Sequence, residues 1–143
     1  ASWLQQAELE TCAAEKLLSE TDGLRALPAA SLWHSAQAVE MSLKSAMLRT
    51  CGITPVELSG ELAHDLTELA AGLRSATVTT PSQHSAQQLP GTQEDLAWLK
   101  QAYVCARYPN ASRPSVPAYR YSNSDANRAL KLASDFVNWA KHL

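Results

Sequence analysis

Three arginines and three tyrosines fall within one proline-broken stretch, Arg107 to Tyr121 (RYPNASRPSVPAYRY). A guanidinium forks onto phosphate with parallel N–H bonds, and a tyrosine ring offers a flat face on which a base can stack. Pro109, Pro114 and Pro117 forbid regular helix through the stretch, so it reads as a loop on a helical frame, a common setting for function. The chemistry this implies is recognition of a phosphate-bearing ligand, with Arg107, Arg113 and Arg120 supplying charge and Tyr108, Tyr119 or Tyr121 stacking or hydrogen-bonding. The plainer reading of the same residues is packed tyrosines with hydroxyls in water and solvated arginines.

Other chemistries find little support. The four histidines, His34, His64, His84 and His142, are not spaced as helical metal ligands, no H-E-x-x-H occurs, and Cys12, Cys51 and Cys105 form no C-x-x-C, so no metal site is expected. No G-x-x-x-x-G-K-[ST], G-x-G-x-x-G or G-x-S-x-G is present, and a phosphate site would have to rely on side chains and helix ends. A net charge of -2 argues against a general nucleic-acid binder. Three well-separated cysteines read as free thiols in a reducing compartment, with Cys12 and Cys105 acting as small apolar residues. No stretch suits a membrane span or a signal peptide. The 143 residues suit one domain, 1–143, and a start at Ala-Ser-Trp directly on a helical pattern suggests excision from a longer chain.

The elements that would position such a site are helical, since no sustained period-two run of β-branched residues occurs. Ser31 to Arg49 is the organising helix. Leu32, Ala36, Val39, Leu43 and Ala46 follow the period of a buried stripe. Trp33, Gln37, Glu40 and Lys44 run beside it, with His34 and Met41 close by. Polar side chains this near a core need partners. Glu40 and Lys44 read either as an ordinary i,i+4 pair or as the edge of a shared cleft or subunit interface. A first helix, Ser2 to about Ser19, carries Trp3, Ala7, Thr11, Ala14 and Leu18 inward, with Glu8, Glu10, Glu15 and Lys16 as a solvated face. Glu61 to Leu73 is the third helix, opened by His64 and Asp65. Arg74 to Gly91 is poor in apolar side chains and is expected to be a long Ser/Thr/Gln loop. Thr92 caps the fourth helix, and Ser122 or Ser124 caps the fifth. The expected fold is all-α, an up-and-down bundle of about five helices.

These residues together resemble the HEPN domain, a helical nucleotide-binding family of eukaryotes and prokaryotes. The W-L-x-x-A of the first helix with Ala14 resembles the family's opening helix. The run Ala36 to Ala46 (AQAVEMSLKSA) resembles its Q-A-x-E-K-x-L-K-A signature, with Met41 where lysine is usual. His64-Asp65-Leu66 resembles its H-x-L element, and Arg107-Tyr108-Pro109 resembles the R-Y-P after its fourth helix. The resemblance implies a cytoplasmic homodimer that binds a purine nucleotide, GTP or ATP, without a P-loop. Gln37, Lys44, Arg107, Tyr108, Arg113, Tyr119 and Arg120 would then form the nucleotide site. Family members that are ribonucleases carry Arg, four to six residues, then His. None of the four histidines here stands five to seven residues after an arginine, and the window after Arg107 holds Ser112, Arg113 and Pro114. The resemblance therefore implies no catalytic residues, with RNA an unlikely partner. The competing expectations are a purely structural dimerising bundle and a ribonuclease with an unusual base such as His34 or His64.

Overall fold

A computed structural model describes residues 2–19, 27–58, 60–106 and 121–143. The described residues contain six α-helices: α1 (Trp3–Ser19), α2 (Leu27–Ala46), α3 (Leu66–Ser75), α4 (Pro81–Gln87), α5 (Gln93–Cys105) and α6 (Asn123–Lys141). A π-helical turn, Met47–Cys51, continues α2, and two 3-10 turns, Pro55–Leu58 and Gly60–His64, precede α3. The described residues include no strand, as expected of an all-α bundle.

α2 is the central element. Its predicted stripe, Leu32, Ala36, Val39, Leu43 and Ala46, is completely buried. It packs against α1 and α6 on one side and α3 and α5 on the other. α1, α2 and α6 each bury small residues, among them Ala7, Ala14, Ala36, Ala133 and Ala140, which allow backbones to approach closely. One cross-link is polar: the buried Ser31 hydroxyl donates to the Ala14 carbonyl at 2.8 Å. Trp3 near Lys44 and Ala14 beside Ser31 make α1 and α2 antiparallel.

Local signals set the helix ends. Ser2 Oγ accepts from the Gln5 amide while the Gln5 side chain accepts from the Ser2 amide, a capping box for α1. Thr92 with Asp95 and Ser122 with Asp125 form the same device at α5 and α6. Gly52 ends the π-turn in the left-handed region at φ 64°, where a Cβ would be strained. The third helix begins later than its sequence suggests. The Asp65 side chain caps α3 by accepting from the Thr67 and Glu68 amides, leaving His64 in the preceding 3-10 turn.

The 74–91 segment corrects the expectation of a long loop and raises the helix count from about five to six. Thr80 and Gln83 form a capping box, Pro81 occupies the first turn, and α4 follows. This short helix has one fully buried residue, Ala86, and is held mostly by polar bonds to helix ends. Gln83 Nε2 donates to the Thr50 carbonyl at 2.9 Å, and Gln87 Nε2 reaches the Leu73, Arg74 and Ala76 carbonyls at 2.8–3.3 Å. Trp139 Nε1 of α6 donates to Ser85 O at 3.2 Å. Immediately after it, Gly91 lies so close to Phe136 that an added Cβ would stand 3.0 Å from the ring.

Candidate functional site: a buried carboxylate on α2

Glu40 is 1% exposed, and three side chains from three elements converge on it. Lys44, one turn along α2, brings Nζ to 2.6 Å from Oε1. His64, from the 3-10 turn before α3, places Nδ1 3.0 Å from the same oxygen. Tyr103, near the end of α5, donates its hydroxyl to Oε2 at 3.0 Å. Burial of an acidic side chain is tolerated only with such pairing. The arrangement ties α2, the turn before α3, and α5 together at one point, and the i,i+4 pair of Glu40 and Lys44 is buried rather than at the surface. Lys44 itself is 4% exposed and lies 5.0 Å from the centre of the Trp3 ring, a cation–π contact that closes its other side.

Gln37 joins this network. Its side chain lies near the Tyr103 hydroxyl and slightly favours the ionised phenol, against the effect of Glu40. Burial first, then the neighbouring Glu40 charge, pushes the Tyr103 hydroxyl far above its ordinary range, so it remains a donor. Its ring lies 6.0 Å from that of Trp33. Trp33, Gln37, Met41 and Tyr103 are each half-buried, so this face is packed on one side and open on the other.

A second carboxylate–histidine pair lies a short way along α2. His34 Nδ1 is 2.6 Å from Glu10 Oε2, and Gln6 donates to Glu10 Oε1 at 2.7 Å. Glu10 thus leaves the solvated face assigned to it by sequence, with a side chain 12% exposed. In both pairs the carboxylate can only accept, so Nδ1 carries the hydrogen towards it and Nε2 is the ring nitrogen turned away. His64 presents that nitrogen on a side chain that is 71% exposed, His34 on one that is 29% exposed.

Of the residues expected to bind nucleotide, Gln37 and Lys44 come together through Glu40 and Tyr103. Lys44 does so as the buried partner of a carboxylate rather than as an open ammonium. Arg107, Tyr108, Arg113, Tyr119 and Arg120 lie outside the described residues. Glu10 and Tyr103 were not singled out as site residues by sequence. A glutamate within reach of an apolar stripe, at the spacing of Gln6, was the available sign for Glu10. Among the described residues no three His, Cys, Asp or Glu side chains cluster as metal ligands. Cys12 is exposed rather than a small core residue. No helix among the described residues is long and apolar enough to cross a membrane.

The comparison with protein families identifies the fold: the HEPN domain matches residues 1–143. The chain belongs to the HEPN family, helical modules of nucleotide-binding or ribonuclease type. No curated protein and no solved structure matches it.

Proposed function

We propose that this domain is a non-catalytic nucleotide-binding and homodimerisation module. The observation that carries this reading is the joining of Gln37 and Lys44 through Glu40 and Tyr103, four residues before Arg107 in sequence. In this reading the Glu40 cluster fixes the end of α5, and Arg107, Arg113 and Arg120 meet the phosphates of GTP or ATP. Gln37 orients polar groups, and Tyr108 or Tyr119 meets the base. Lys44 contributes field rather than a direct phosphate bond, because its ammonium is already paired with Glu40. The absence of an Arg-x4-6-His pair supports a binding role without catalysis. The insert before α5 and the proline-rich segment after Arg107 resemble the C-terminal HEPN domain of sacsin, which favours a cytoplasmic, chaperone-related parent. Titration of labelled GTP and ATP tests the reading. Binding by the native domain that is lost in the Arg107→Ala/Arg113→Ala double variant supports it, and absence of binding at millimolar nucleotide refutes it. Sedimentation across a concentration series tests the dimer, and a dimer without nucleotide affinity would leave a structural tether.

One observation favours a second reading, ribonuclease activity with an unusual base. His34 and His64 each have Nδ1 on a carboxylate, leaving Nε2 to accept a proton. Cleavage of single-stranded RNA abolished by His64→Ala or His34→Ala supports it, and no cleavage by the native domain excludes it.

A further inference from the structure

The start of α1 crosses the end of α2 beside the π-turn, and a cavity of about 370 Å3 opens between them. Ser2, Trp3, Leu4, Ser45, Leu48 and Arg49 line it. Its walls are mainly apolar and unusually open to water: the Trp3 indole is 36% exposed and Leu48 45%. Three polar residues are set into those walls, of which Ser2 is engaged in the α1 capping box. Ser45 is 4% exposed and lines the cavity, where its hydroxyl can bond a water or a ligand atom. Arg49 is held in place by one bond, Nη1 to the Ala140 carbonyl at 2.9 Å, which leaves other N–H groups of its fork available.

The end of a helix ordinarily presents carbonyl oxygens and disfavours an anion. Here several are already satisfied. Thr50 Oγ1 donates to Ala46 O, Gly52 and Ile53 amides to Met47 O, and Gln83 to Thr50 O. The local charge is set instead by Arg49, since Lys44 behind the indole is paired with Glu40. An indole face, neighbouring leucines, one guanidinium fork and one cavity-lining hydroxyl complement a planar apolar body bearing a single carboxylate.

We propose that this cavity is a binding site for a small aromatic carboxylate, with the ring against Trp3 and Leu48 and the carboxylate between Arg49 and Ser45. The site is separate from the proposed nucleotide site and does not depend on it. The test is fluorine NMR of the domain carrying 5-fluorotryptophan, with Trp3 assigned by Trp3→Phe, titrated with phenylacetate and with the neutral isostere phenylacetamide. The expected result is a saturable shift of the Trp3 signal with phenylacetate, and roughly tenfold weaker binding of the amide. Ser45→Ala, which keeps the helix, is expected to weaken phenylacetate several-fold, and Arg49→Gln roughly tenfold. A Trp3 signal that does not move with phenylacetate overturns the proposal, as does equal affinity for the amide. The isostere comparison uses the native domain, so it stands even if Arg49→Gln fails to fold.

Discussion

Glu10–His34 and Glu40–His64 are the same two residue types joined through the same ring nitrogen, yet they do different work. Glu10 keeps contact with water, has two partners, and links only α1 to α2. Glu40 is sealed, has three partners, and links α2 to the turn before α3 and to α5. The difference lies in desolvation. A carboxylate at the edge can exchange its histidine for water at little cost, while a sealed one leaves Lys44 unpaired if it is neutralised. The chemistry of a pair is therefore set by what closes over it.

The contrast breaks most readily at Glu40. Glu40→Gln strands a buried ammonium and is expected to cost about 3–5 kcal/mol. Thermal unfolding reads this directly, and a loss as small as that at a surface site would show that the cluster is already hydrated. Tyr103→Phe removes one donor to a charged acceptor and is expected to cost about 1.5–3 kcal/mol in urea denaturation. The same phenol provides a pH test. Its folded-state value is raised, so its contribution is fully present below the unfolded value of about 10 and is lost as pH rises above it. Stability of the native domain should fall on the alkaline side more steeply than that of Tyr103→Phe, and identical profiles would count against a sealed hydroxyl. Glu10→Gln, on the open side, is expected to change stability by only about 0.5–1.5 kcal/mol.

The smallest effect belongs to Asp65, next to His64 in sequence. Burial alone would raise its carboxyl, but Lys100 and the Thr67 and Glu68 donors outweigh this and hold it below its usual range. A depressed value means its contribution is present above the unfolded value of about 3.9 and is lost as pH falls through the folded one. Lys100→Ala, at an exposed pair, is expected to cost about 0.2–1 kcal/mol and to soften that acid limb. An effect equal to that of Glu40→Gln would erase the distinction between sealed and open pairs.

Much of the frame was legible because it rests on periodicity and caps. The α2 stripe, the Thr92 cap and the Gly52 stop each follow from residue type and spacing alone. α4 was not legible because its stability does not come from an apolar stripe. Two glutamines bonded to backbone carbonyls at the ends of α3 and of the π-turn after α2 hold it, and those carbonyls come within reach only as the bundle closes. Thr80-Pro81 and Gln83 were the local trace of its start. The Glu40–Lys44 pair was visible as spacing, but its three-element character was not, since His64 and Tyr103 are 24 and 63 residues away in sequence. Glu10 was misread for the same reason: a long-range histidine drew it out of water.

α4 has a further consequence. A seven-residue helix does not persist by itself, so its amides acquire protection from hydrogen exchange only when the Thr50, Leu73 and Trp139 neighbourhoods arrive together. It behaves as a clasp fastened last. Its exchange rate would gauge, from a single short peptide, whether the three helix ends are assembled.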